Sequence, residues 1–141
     1  MKIETKFFGN VDIDSNEVIS FKKPILGFEG EDKFILIDIE ELDSLKCLQS
    51  TKTKNLCFIV STPWVYYNDY AFDIDDEISN HLEIKSEEEI EVFNILTLKD
   101  DFESSTINLS APIILNNEKN FAAQIVIGDE KYSTSHPVKG S

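Results

Sequence analysis

Lys33-Phe34-Ile35-Leu36-Ile37-Asp38-Ile39, followed by Cys47-Leu48-Gln49-Ser50 and then Leu56-Cys57-Phe58-Ile59-Val60, is the stretch on which the fold is decided. Its first run is dominated by β-branched and aromatic residues and reads as a strand. The two later runs are short, apolar and separated by the Lys-Thr-rich Thr51-Lys52-Thr53-Lys54, which is the pattern of a hairpin. Toward the N-terminus, Lys2–Phe8, Val11–Ile13 and Val18–Phe21 are further β-type segments, punctuated by Gly9-Asn10 and Asp14-Ser15-Asn16. The Phe8-Gly9-Asn10-Val11 junction has the composition of a hairpin turn.

Toward the C-terminus one helix is expected, with Asp75 or Asp76 capping Glu77–Leu82 and its acidic residues suiting the positive end of the helix dipole. Ser86-Glu87-Glu88-Glu89 has capping-box spacing and predicts a second helical turn. Ile90–Leu98 alternates as a long strand, Thr106–Leu109 and Ile113–Leu115 flank Pro112, and Ala123–Ile127 closes the series. Many short strands with one or two short helices predict a mainly β, antiparallel barrel or sandwich. No repeat, linker or low-complexity tract divides the chain, so residues 1–137 are expected to form a single domain and 138–141 a flexible tail.

The chain has 141 residues, with 27 Asp plus Glu against 13 basic residues, all of them Lys, for a net charge of −14. Such a field repels nucleic acid and anionic membrane, whose affinity for proteins comes from neutralised phosphates, so neither is expected as a direct partner. It attracts a basic protein and speeds the encounter. Acidity also serves solubility alone. Met1–Lys6 lacks an apolar signal region and no run reaches the length of a membrane helix, so the cytoplasm is the expected compartment. Cys47 and Cys57 sit in apolar surroundings with no CxxC or zinc spacing, and are expected as buried reduced thiols.

Catalytic signatures are sparse. The glycines form neither GxGxxG nor a Walker loop, and His81 and His136 lack motif partners, so each reads as a surface histidine. A Cys57–His81 nucleophile pair is the weaker reading, since apolar neighbours raise a thiol's pKa. Asp12–Asn16 begins like a calcium loop, but Glu17 stands where glycine is needed and Lys23 where the bidentate Glu belongs. No catalytic residue, metal or cofactor is expected.

Thr62-Pro63-Trp64-Val65-Tyr66-Tyr67-Asn68-Asp69-Tyr70-Ala71-Phe72-Asp73 contains the only Trp and three of the four Tyr. Such rings anchor protein interfaces, because they bury large area at small entropic cost. They equally suit a half-buried core, and the sequence leaves both readings open. The binding surface is expected to comprise Trp64, Tyr66, Tyr67, Asp69, Tyr70 and Asp73, with Gln49 and Glu29 as neighbours. A sugar-binding or hydrolase barrel that stacks its ligand on the same rings is the rival from another class.

Several stretches together resemble the FliW family of bacterial flagellar assembly factors. They are Ile3–Gly9, Ile19–Phe21 leading to Ile25–Glu29, Leu48–Ser50, Phe58–Val60 with Pro63, Asn68–Phe72, Asn108–Asn116, and Gln124–Ile127 with Tyr132. The departures are Asn68 where the family often has Pro, and Ser135 where it often has a basic residue. The resemblance implies a β-barrel-like domain with little helix, and the free chain is expected to be a monomer. It also implies a partner switch: proteins of this family bind the translational regulator CsrA and relieve its repression of flagellin mRNA, with flagellin competing. A flagellin chaperone without the regulatory arm is the nearer alternative.

Overall fold

The computed structural model describes residues 1–39 and 44–138. Its strands are β1 (Lys2–Glu4), β2 (Asn10–Asp12), β3 (Ile19–Lys23), β4 (Lys33–Asp38), β5 (Lys46–Ser50), β6 (Cys57–Ser61), β7 (Ile90–Thr97), β8 (Thr106–Ile107), β9 (Ile113–Asn116), β10 (Phe121–Gln124) and β11 (His136–Pro137), and helix α1 spans Asp76–His81. Strands β7-β6-β5-β4-β3-β10-β9 are hydrogen-bonded in that order, and β9 returns to β7, which closes a seven-stranded barrel. Neighbours run antiparallel except β3 and β10, which are parallel. Beyond the barrel, β8 and β11 continue the sheet from the end of β7, and β1–β2 form a separate hairpin.

The apolar run of β4 follows from burial on both faces. Phe34 and Leu36 point into the barrel, packing with Phe21, Leu48, Val60, Phe93 and Ile113. Ile35 and Ile37 point outward, where Ile3, Val11, Ile13 and Val18 of the N-terminal segment cover them. Gly9, at φ +65°, lets that hairpin turn, and Thr5 closes it by donating both its N–H (2.8 Å) and its hydroxyl (2.7 Å) to the Gly9 carbonyl.

Helix α1 lies over the outer side of β7, β9 and β10, with Ile78 and Leu82 packed on Val92, Ile114 and Ala123. Asp75 is its cap, accepting the Ile78 N–H at 2.9 Å, and Asn116 Nδ2 donates to the Leu82 carbonyl at 2.7 Å just past its end. The expected capping box at Ser86 does not form: Glu89 folds back to accept the Lys85 N–H at 2.7 Å, and the Ser86 hydroxyl caps nothing.

Three other expectations shift. The strand expected at Ala123–Ile127 is β10, which runs Phe121–Gln124, because its parallel neighbour leaves at Pro24, and the short β11 follows it. Val138, assigned to the tail, is buried and donates its N–H to the Ser105 carbonyl at 3.1 Å; residues 139–141 lie outside the described ones. Cys47 is buried and Cys57 half-buried, and the interaction of the two thiols pushes Cys57 up, with burial adding to the rise, and draws Cys47 down.

Candidate partner-docking site

The aromatic segment leaves β6 through Thr62 and makes a tight 3-10 turn at Pro63–Val65, where the missing N–H of proline costs nothing. Tyr66 and Tyr67 both donate their N–H to the Pro63 carbonyl at 3.0 Å, and Tyr70 N–H donates to Tyr67 at 3.0 Å, so the rings fan out from successive turns. Tyr70 goes inward. It is 3% exposed, donates its hydroxyl to the Leu109 carbonyl at 2.7 Å and receives Asn94 Nδ2 at 3.3 Å. Burial pushes its phenol up to about 12, against a smaller opposing effect of the Asn94 bond. Around it stand Tyr132 at 4.7 Å, Phe72 at 5.4 Å and Trp64 at 6.1 Å between ring centroids.

Trp64 is 40% exposed, and its indole donates to the Tyr70 carbonyl at 2.7 Å, which holds the ring at the rim. Tyr66 and Tyr67 are half-buried. Tyr67 donates to the Pro137 carbonyl at 2.6 Å and meets the half-buried ring of His136 edge-on at 5.3 Å, so that histidine is no free surface group. The aromatic segment therefore ties the barrel to the chain's C-terminal stretch and offers one large exposed ring.

Trp64, Tyr70 and Asp73 line a groove of about 870 Å³ between this segment and the stretch from α1 to β7. Its floor is apolar, from Phe72, Ile74, Ile84, Ile90 and Val92, and its charged groups are Asp73, Glu87, Glu91 and Lys85. The shape suits an apolar anchor, and the balance of charge suits a basic neighbour to it.

The remaining expected residues are placed elsewhere. Asp69 is exposed in the turn after Tyr67, and Glu29 is exposed in the loop whose Phe28 packs edge-on against Phe58 at 5.1 Å. Gln49 is wholly buried: its Oε1 accepts the Lys6 N–H at 3.0 Å and its Nε2 faces the carbonyls of Ser50 (3.0 Å) and Lys54 (3.0 Å). Neither Gln49 nor Tyr70 presents its polar end to a partner. Sequence reading missed Ile84, Ile90, Glu87 and Glu91 as groove residues; the only signal was the acidic run at 87–89, which reads as a cap.

Among the described residues no three His, Cys, Asp or Glu side chains converge as a metal site. The calcium-like acids close a turn instead, Asp14 N–H donating to Glu17 Oε1 at 2.9 Å. His81 sits on α1, its ring against the Glu77 carbonyl at 3.1 Å. No described helix is long and apolar enough to cross a membrane.

The polar residues of the family-like segments brace loops. Asn108 Oδ1 accepts the N–H groups of Ser110 (3.0 Å) and Ala111 (3.1 Å), and Gln124 bridges the Leu26 N–H (2.8 Å) and the Ala111 carbonyl (3.1 Å). The model of the family described as FliW protein matches residues 2–138. The flagellar assembly factor FliW of Bacillus licheniformis is 41% identical over 99% of this chain and 98% of that protein, and that of Bacillus subtilis is 39% identical over the same shares. A crystal structure of the flagellar assembly factor FliW superposes with a TM-score of 0.94 at 33% identity, covering 100% of this chain and 99% of that one. A chain matched by the family model over residues 2–138, and this similar in sequence and in structure to flagellar assembly factors, belongs to the FliW family.

Proposed function

We propose that this chain is a cytoplasmic binding protein, monomeric when free, that engages the translational regulator CsrA and relieves its repression of flagellin mRNA, with flagellin as the competing partner. Family membership supports this reading, and the observation that carries it at the level of residues is the groove below Trp64, apolar in its floor and edged by Asp73, Glu87 and Glu91. An RNA-binding regulator must be basic where it meets phosphate. A partner of net charge −14 is steered toward such a surface.

Docked beside the RNA site, the chain opposes phosphate through its field. Two unit charges about 8 Å apart interact by roughly 0.5–2 kcal/mol at effective dielectrics of about 20 to 80, so several carboxylates lower RNA affinity appreciably. Isothermal titration into CsrA, and separately into flagellin, tests the reading. Mutually exclusive binding to both is expected. Binding to flagellin alone replaces the switch with a chaperone role, and no binding to either removes the proposal. A salt series at full occupancy then separates mechanisms, since field repulsion fades as the screening length shortens while occlusion persists.

A further inference from the structure

Past β10 the chain stays extended but is paired on one side only. Ile125 donates its N–H to Pro112 at 3.1 Å and Ile127 donates to Ser110 at 2.8 Å. By the alternation of a strand, the N–H and C=O of Val126 face the opposite way. That side belongs to β3, which ends at Lys23. Pro24 has no N–H to offer, the Leu26 N–H is taken by Gln124 Oε1 at 2.8 Å, and Gly27 at φ +88° turns the chain aside. Among the described residues nothing meets the Val126 N–H or carbonyl. The edge lies in a second groove, of about 680 Å³, and a Cβ placed on Gly128 would meet nothing within 4 Å.

Exposed edges are usually blunted by a charge, a proline or a bulge, yet residues 125–128 are Ile, Val, Ile and Gly. Val126 is 64% exposed and Leu26, across the groove, is 61% exposed. We propose that the Val126 edge is a strand-addition site, which takes an extended, positively charged segment of a partner protein as a further strand beside β10. A second copy of this chain is disfavoured, since each copy carries a net charge of −14. Asp73 and Asp75 line the groove against the single Lys23, and Asp73 has no hydrogen-bond or ion-pair partner among the described residues, so its charge is free to pair with a lysine or arginine of the added strand. The inference rests on the partner reading above, and identifies one way in which CsrA or flagellin is held.

Val126→Pro removes the outward N–H and leaves the inward bonds of Ile125 and Ile127 in place. Titration of this variant into CsrA and flagellin is expected to show at least about a tenfold loss of affinity for one of them, the scale of a backbone bond lost with its partner left unpaired. Val126→Thr, which keeps the N–H, is expected to bind as the parent does. If Val126→Pro melts early, amide exchange on the unaltered chain decides: the Val126 amide should become protected in a saturated complex, while the Ile127 amide, bonded already, should not change. Unchanged affinity in a well-folded Val126→Pro, or a Val126 amide that stays fast in both complexes, overturns the strand-addition site alone. An unaltered chain that binds neither protein overturns the partner reading and this site with it.

Discussion

Tyr70→Phe removes one oxygen from the middle of the aromatic segment and asks whether that segment is first a brace or first a binding surface. The lost hydroxyl donates to the Leu109 carbonyl and accepts from Asn94 Nδ2, which keeps its stronger bond to the Asn108 carbonyl at 2.8 Å. The net damage is one buried carbonyl left without its donor, a cost of about 1–3 kcal/mol. For a domain of this length that lowers Tm by about 3–10 °C. Paired thermal melts and titrations into CsrA and flagellin read the outcome, with stability expected to fall and affinity expected to hold within about twofold. Loss of affinity with an unchanged melt would refute the argument, because it would mean that Tyr70 acts on the partner. The same phenol predicts a weakness in alkali. Its pKa is raised from the ordinary value near 10 to about 12 in the folded protein, so the stabilisation is complete below about pH 10 and is lost as pH rises through about 12. Tyr70→Phe is expected to flatten that part of the pH profile of Tm.

Asp75→Ala removes the cap of α1 and should cost about 1 kcal/mol, whereas Asp76→Ala, one residue inside the helix, should cost less; urea midpoints at constant m-value compare them. Asp73→Lys, which breaks no bond among the described residues, should leave Tm unchanged and slow association with a basic partner, and the difference should shrink with added salt in stopped-flow traces. A Trp64→Ala and Tyr67→Ala pair would mix binding with two lost braces, the Tyr67 bond to the Pro137 carbonyl and the Trp64 bond to the Tyr70 carbonyl; Trp64→Ala alone gives up one brace, and its melt and titration together are expected to show binding weakened by about tenfold or more at a smaller loss of stability.

Much of the barrel was legible residue by residue. Runs such as Lys33–Ile39 and Ile90–Leu98 are rich in β-type side chains at strand length, and the hairpin of β5 and β6 was visible from two apolar runs around a polar turn. The cap at Asp75 was legible for the same local reason, since an N-cap needs only a side chain and an amide three residues on. Ends of elements were less legible. Strand β10 stops at Gln124 because Pro24 withdraws its neighbour, 100 residues earlier in the chain.

The candidate docking site divides along the same line. Composition alone settles that the surface is acidic, that aromatic rings are concentrated at 64–72, and that their hydrophobic bulk must go either to a core or to an interface. Period-two patterning with short turns settles the mainly β class. Only the tertiary structure assigns each ring its place, because burial depends on what the distant residues 94, 109, 132 and 137 bring against it. The same holds for Gln49, a polar residue whose side chain looked available until the loop at 50–56 and the N-terminal arm closed over it. The groove, its acidic rim and the open edge at Val126 belong wholly to this level: they arise where separate strands end, and a strand's end is set by its neighbours' hydrogen bonds and not by its own side chains.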